Sequence, residues 1–237
     1  MSKKVRIQAL LLCVIMLCAA GYGAAQTPKV SKAKNVIYYI GDGMGPQAMG
    51  LLMQYARLAP NSIYSDRTSS LEKLIDQSQL GIMLNNSKSS IVIDSAGSGT
   101  QMSTGAYTLP ARIGVDFNGQ SVPNVLEMAK AAGKATALVT TSYLQDATPS
   151  AFGAHQQSRT LRQEISRDLL NNNIDIMLGS GSKYLNAPSL LDLAEKQGYS
   201  LVYNKLQMDG ASGKLLGLFG DEGTPYAIEN NKEMPNL

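Results

Sequence analysis

A serine in a glycine-rich turn is the residue of this chain best suited to nucleophilic chemistry. The run from Val92 to Thr100 places Ser95 after three apolar residues, which predict a short buried strand ending at Asp94. Small residues then allow a sharp turn into a helix, whose free N–H groups favour anions, phosphate above all. A serine there can act as a nucleophile if its surroundings lower the pKa of its hydroxyl. A Ser/Gly-rich loop that only caps a helix is the alternative interpretation.

Two further segments carry oxygen ligands suited to hard cations. In the Gly-Asp-Gly-Met-Gly turn at 41–45, Asp42 lies between glycines that let a metal ion or phosphate approach the backbone. Helix capping is the more common use of such an aspartate. Asp146 and Thr148 stand two residues apart and can offer two oxygens to one Mg²⁺. An Asp/Thr turn before Pro149 is the alternative there.

The segment 155–159 contains the only histidine of the chain together with an arginine. A lone histidine is more often a packed or hydrogen-bonded residue than a ligand, and we expect this of His155. The guanidinium fork of Arg159 matches two phosphate oxygens at once. A solvated surface charge is the common alternative for a single arginine near a helix start.

Alternating strand-like and helix-like segments are expected to position these residues. Apolar runs predict strands over 36–40, 80–84, 90–93, 135–140, 174–178 and 201–203. Spacing and caps predict a helix from Pro46 and helices over 70–77, 121–132, 160–170 and 189–198, with Ser189 as a cap. This order predicts an α/β fold with a mostly parallel sheet and helices on both faces. Because ligands bind beyond the carboxyl ends of such strands, Asp42, Ser95 and Asp146 are expected to converge at one edge.

The first 25 residues have the pattern of a secretory signal peptide, with a basic start, an apolar stretch and cleavage near Ala25. Their removal takes Lys3, Lys4 and Arg6, so Lys+Arg falls from 21 to 18 and equals the 18 Asp+Glu. The mature chain therefore has no excess of positive charge that would indicate nucleic-acid binding. Both cysteines also lie in this segment, which excludes disulfides and thiolate zinc sites from the mature chain. We therefore expect a periplasmic or secreted protein without a stable membrane anchor.

Taken together, the four chemical segments resemble one family, the alkaline phosphatases. The run 92–100 matches the family's serine signature at every position, and the other three segments follow the family's order and spacing. The similarity extends from about residue 35 to the end of the chain. It implies a three-layer α/β sandwich, two zinc ions, one Mg²⁺ and a homodimer. It also implies hydrolysis of small phosphomonoesters through a phosphoserine intermediate, with inorganic phosphate as the product.

The resemblance also implies a role for each matched residue. Ser95 corresponds to the nucleophile, which also contacts a zinc ion, and Arg159 to the clamp on two phosphate oxygens. Asp42 corresponds to the carboxylate that bridges this zinc and the magnesium. Asp146 and Thr148 correspond to magnesium ligands.

The chain departs from the family pattern in its metal ligands. The family's zinc ions take several His and Asp ligands from the second half of the domain, and the magnesium takes a Glu. We therefore expect a signal peptide at 1–25, a short linker at 26–34, and at 35–237 the N-terminal part of a catalytic domain, incomplete at the C-terminus and inactive alone. A non-catalytic phosphate-binding protein derived from this fold is one alternative, and a phosphodiesterase or sulfatase relative is another. The complete serine signature together with Arg159 favours monoesters.

Overall fold

The computed structural model describes residues 33–229 and 232–235 of the 237-residue chain. The chain divides into two compact units, 1–41 and 42–237, and all the helices and strands described below belong to the second. The signal peptide predicted for 1–25 lies outside the described residues.

Nine α-helices and four strands make up the ordered elements of the described residues. The helices are α1 (Pro46–Leu58), α2 (Ser70–Asp76), α3 (Ser95–Thr104), α4 (Val125–Ala131), α5 (Ala147–Ser150), α6 (Arg162–Asn171), α7 (Ser182–Leu185), α8 (Pro188–Lys196) and α9 (Lys205–Asp209), followed by a 3-10 turn at Ala227–Glu229. The strands are β1 (Ala137–Tyr143), β2 (Ile176–Ser180), β3 (Tyr199–Val202) and β4 (Lys214–Leu218).

The strands form one parallel sheet in the order β1-β2-β4-β3. Met177 of β2 pairs with Leu138 of β1 and with Leu216 of β4, and all three side chains are buried. Helices α6 and α8 add Ile165, Leu169, Leu190 and Ala194 to the buried apolar core. A parallel sheet with connecting helices confirms the predicted α/β class.

The sequence predicts the second half of the fold more accurately than the first. The strands predicted at 135–140, 174–178 and 201–203 are confirmed as β1, β2 and β3, each displaced by one to three residues. Strand β4 was not predicted. Its short run is interrupted by Gly217, where an added Cβ would lie 2.6 Å from the Phe219 ring, so close packing explains the glycine.

The strands predicted at 36–40, 80–84 and 90–93 are wrong for the described residues. These segments pair with no described strand, and their apolar side chains are exposed to solvent. Ile37, Ile82 and Ile91 are 89%, 94% and 90% exposed. An extended apolar segment becomes a strand only where a neighbouring strand satisfies its N–H and C=O groups. The described residues offer these segments no such neighbour.

Most predicted helices are confirmed with shifted ends. Helix α1 begins at Pro46 as predicted, and α2, α4 and α6 cover the expected regions. Ser189 as a cap is wrong, because α8 already begins at Pro188 and its N-cap, Ala187, makes no side-chain bond. Proline is well suited to that first position, since it lacks an N–H that would need a partner. In the described part of the chain, no helix combines the length and the apolar character needed to cross a bilayer.

Candidate active site

Ser95 is the first residue of α3, which begins directly after an aspartate cap. Asp94 Oδ1 accepts hydrogen bonds from the N–H of Gly97 at 3.1 Å and of Ala111 at 2.9 Å. The first bond satisfies a free amide of the helix start, and the second ties the start to the segment 111–115. The predicted turn into a helix is therefore confirmed, although no strand precedes it.

Small residues in the serine run allow α3 to lie against α5. A Cβ added to Gly99 would stand 2.9 Å from the Ala151 Cβ, so only glycine permits this approach. The buried Ser103 hydroxyl donates to the Ala151 carbonyl at 2.6 Å. These contacts bring Ser95 and the Asp146–Thr148 segment into one region of the molecule.

Asp146 lies at the carboxyl end of β1 and caps α5. Its Oδ1 accepts a hydrogen bond from the Ala147 N–H at 2.8 Å, and its Oδ2 accepts one from the Ser142 hydroxyl at 2.9 Å. The carboxylate also acts on Tyr143, whose pKa is raised mainly by burial and further by the negative charge of Asp146. The position confirms that Asp146 follows a parallel strand, where ligands of such sheets bind.

Arg159 joins the serine to both carboxylates. Its Nη1 donates to Ser95 Oγ at 2.9 Å and to Asp94 Oδ2 at 3.2 Å, and its Nη2 donates to Asp146 Oδ1 at 3.1 Å. The side chain is 28% exposed, and the Asp94 and Asp146 side chains are 31% and 24% exposed. The alternative of a solvated surface charge is therefore wrong for Arg159. The guanidinium stands at a helix start, partly open to solvent, with a hydroxyl beside it.

Thr148 connects the site to the first predicted turn. The Thr148 Oγ1 donates to Asp42 Oδ2 at 2.5 Å, although the two residues are 106 positions apart. Thr148 is nearly buried and Asp42 is exposed. The structure therefore brings the predicted residues together in two linked groups. Ser95, Arg159 and Asp146 form one, and Asp42 and Thr148 form the other.

The Asp94 carboxylate beside the serine is kept ionised by more than one interaction. Partial burial raises the pKa of Asp94, but hydrogen bonds from the Ala111 and Gly97 amides and the positive charge of Arg159 outweigh it. The pKa of Asp94 consequently lies below its ordinary value, and the carboxylate stays ionised beside the arginine. Asp94 was not predicted as a site residue. An aspartate one position before a helix start was the signal that could have found it.

The residues present supply part of a magnesium site and do not complete a zinc site. Two hard oxygens, from Asp42 and Thr148, already converge to 2.5 Å, which matches the ligand type that Mg²⁺ prefers. Within residues 33–229 and 232–235, no three His, Cys, Asp or Glu side chains are grouped so that they could hold a metal ion. The only histidine is engaged elsewhere, with Nε2 2.8 Å from Glu127 Oε1, which confirms that His155 is a hydrogen-bonded residue.

The sequence of this chain matches those of known proteins. Residues 33–237 match the family model "Alkaline phosphatase". Alkaline phosphatase 4 of Bacillus subtilis is 34% identical over 92% of this chain and 50% of its own length. Alkaline phosphatase of Escherichia coli K12 is 33% identical over 81% of this chain and 48% of its own length. The chain thus spans about half the length of the curated relatives it matches.

Solved structures show the same fold. The cold-active alkaline phosphatase of the psychrophile Shewanella sp. has a TM-score of 0.71 and 31% identity, covering 80% of this chain and 47% of that one. A histidine-to-aspartate mutant of the TAB5 alkaline phosphatase, solved with Mg bound, has a TM-score of 0.59 and 28% identity, covering 64% of this chain and 46% of that one. The serine signature, the fold and these matches agree: the chain belongs to the alkaline phosphatase family.

Proposed function

We propose that this chain carries the nucleophile and the phosphate clamp of a metal-dependent phosphomonoester hydrolase. One observation supports this most strongly: the Arg159 guanidinium stands 2.9 Å from the Ser95 hydroxyl at the start of α3. A hydroxyl nucleophile, a bidentate cation and a helix N-terminus are the three groups that a phosphoryl substrate needs in one place.

In this proposal Arg159 orients the phosphoryl group and Ser95 reacts with it. Two phosphate oxygens take the Nη1 and Nη2 hydrogen bonds that Ser95 and Asp146 accept in the structure. The Ser95 hydroxyl loses its proton to solvent and its Oγ forms a bond to phosphorus. The bond from phosphorus to the leaving-group oxygen breaks with its electron pair, and that oxygen takes up a proton from solvent. Water then attacks the phosphoserine, releases inorganic phosphate and restores the hydroxyl. Positioning by the arginine supplies much of the rate in such transfers.

The metal ligands follow the family pattern in this proposal. Asp42, Asp146 and Thr148 would hold Mg²⁺, and Ser95 and Asp42 would contact one zinc ion. When bound, such ions neutralise the charge that develops on the attacking and leaving oxygens. The zinc sites need ligands beyond the described residues, so we expect turnover by this chain alone to stay near background. Robust zinc- and magnesium-dependent hydrolysis of an aryl phosphate by the purified chain would contradict that expectation.

The localisation, the substrates and the assembly of the protein are also proposals. Cleavage near Ala25 would deliver the chain to the periplasm or the exterior, where small phosphomonoesters are the substrates and a homodimer is the assembly. A non-catalytic phosphate-binding protein would use the same Arg159 and the same helix start. The two functions differ in one respect, because only the enzyme forms phosphoserine.

A phosphoserine trap tests the covalent step. Residues 33–237 are joined to the second half of the Bacillus subtilis relative, and the fusion is incubated with an aryl phosphate, Zn²⁺ and Mg²⁺, then quenched in acid. Peptide mapping is expected to find the phosphoryl group on Ser95, to lose it in Ser95→Ala and to keep it in the neighbouring control Ser98→Ala. Stoichiometric phosphoenzyme in Ser95→Ala would place the nucleophile elsewhere.

A further inference from the structure

The single histidine lies in a hydrogen-bond network that the proposed chemistry does not use. His155 Nε2 is 2.8 Å from Glu127 Oε1 of α4, and His155 Nδ1 is 2.6 Å from the Gly114 carbonyl oxygen. Glu127 in turn accepts hydrogen bonds from the backbone N–H of Asn124 at 2.9 Å and from Asn172 Nδ2 at 3.3 Å. The imidazole therefore bridges α4 and the segment 111–115.

Both ring nitrogens of His155 face hydrogen-bond acceptors. A backbone carbonyl only accepts hydrogen bonds, and so does an ionised carboxylate. The ring is therefore held from both sides, by the Glu127 carboxylate of α4 and by the Gly114 carbonyl of the segment 111–115.

The segment 111–115 carries this bridge to the arginine. Ile113 and Gln156 exchange both backbone hydrogen bonds, at 2.9 and 2.8 Å, and the Arg159 N–H donates to the Ala111 carbonyl at 2.7 Å. Along the same segment, the Gly114 N–H donates to Thr100 Oγ1 of α3 at 2.9 Å. The segments 111–115 and 155–159 are therefore aligned with each other and with the serine helix, and His155 stands at the end of this alignment opposite Arg159.

We propose that the Glu127–His155 pair is a positioning element for Arg159. It fixes the register of 155–159 on 111–115, and thereby the place of the guanidinium beside Ser95. Its effect on phosphate affinity rests on the proposed phosphate role of Arg159, whereas its effect on the arginine itself does not. Phosphate affinity of the site then depends on a pair of residues that never touches phosphate.

Three packed elements hold His155 in place. Its ring contacts Glu127 of α4 and the Gly114 carbonyl of the segment 111–115. Its backbone N–H donates to Asp168 Oδ2 of α6 at 3.0 Å, and the same Oδ2 accepts a hydrogen bond from the Gln156 side-chain amide at 2.8 Å. These contacts fix the residue at the end of 155–159 that lies opposite Arg159.

The first test follows the two side chains by NMR in the whole chain. One histidine gives one set of imidazole signals, and the Arg159 Nε–H signal is assigned by its loss in Arg159→Lys. We expect the ring protons of His155 to show Overhauser contacts with both Glu127 and Gly114, and the Arg159 Nε–H to give one sharp signal. An imidazole without these contacts in the folded chain would overturn the proposal.

Variants provide the second test. In His155→Leu and Glu127→Ala the Arg159 signal should move or broaden, and the dissociation constant for inorganic phosphate should rise about fivefold to tenfold. Glu164→Ala, which removes an exposed glutamate from α6, should change neither. Because Glu127 also caps α4, His155→Gln serves as a variant that leaves the cap intact.

The outcomes separate the two proposals. An Arg159 signal unchanged in folded His155→Leu and His155→Gln would overturn the positioning role. Failure of the wild-type chain to bind phosphate at all would count against the proposed function, while the Arg159 signal in the variants would still decide the positioning role.

Discussion

Asp94 links the start of the serine helix to Arg159, and its removal should destabilise the fold measurably. Asp94→Ala loses the helix cap on Gly97, which is worth about 1 kcal/mol. It also leaves the Ala111 N–H without its acceptor, at a cost of about 1 kcal/mol. The partly exposed ion pair with Arg159 adds about 0.5 kcal/mol. The free energy of unfolding should therefore fall by about 2 to 3 kcal/mol.

Urea denaturation followed by circular dichroism measures this change. Asp94→Asn keeps an oxygen that can cap α3 and accept from Ala111, so it should cost about 1 kcal/mol, less than the alanine variant. Asp192→Ala, which removes an exposed aspartate from α8, should stay within about 0.5 kcal/mol of wild type. The reasoning is refuted if Asp94→Ala costs no more than Asp192→Ala, or if the asparagine variant is as unstable as the alanine variant.

Two further predictions concern backbone space and pH. Gly114 and Gly105 both have positive φ, but a Cβ on Gly114 would meet the Ala154 carbonyl oxygen at 2.1 Å, while Gly105 has open space. The free energy of unfolding, measured by urea denaturation, should therefore be about 1 to 3 kcal/mol lower for Gly114→Ala than for Gly105→Ala. Equal stability would contradict this and show that the segment can shift. Because folding lowers the pKa of Asp94, its contribution is present above the ordinary value of 3.8 and is lost as the pH falls through the folded pKa. The stability difference between wild type and Asp94→Asn, measured by urea titration, should accordingly shrink below that pH, and a difference that grows there would contradict the assigned sign.

The sequence predicts which polar residues come together in this chain better than it predicts strands. Asp42, Ser95, Asp146, Thr148 and Arg159 stand in short motifs, and the structure brings them together in two linked groups. Turn and cap signals are local, so the helix starts at Pro46 and Ser95 follow from neighbouring residues.

Strand prediction fails where pairing is not local. The apolar runs around Ile37, Ile82 and Ile91 have the composition of buried strands, yet they remain exposed because no neighbouring strand is available to them in the described residues. The long-range contacts of Asp94 and of the Glu127–His155 pair are hidden for a related reason. The capping signal at Asp94 is local, but its partners Ala111 and Arg159 lie 17 and 65 positions away. Glu127 and His155 are 28 positions apart, and no pattern within a short window reveals such contacts.

Phosphate binding by the chain itself tests the central claim most directly. Inorganic phosphate is titrated by calorimetry into the wild-type chain, Arg159→Ala and the control Arg167→Ala, which removes an exposed arginine from α6. Loss of a bidentate, charge-assisted contact should weaken phosphate binding by about 2 to 3 kcal/mol, or thirtyfold or more, in Arg159→Ala alone. Equal affinity in Arg159→Ala and wild type would contradict the assignment of this site.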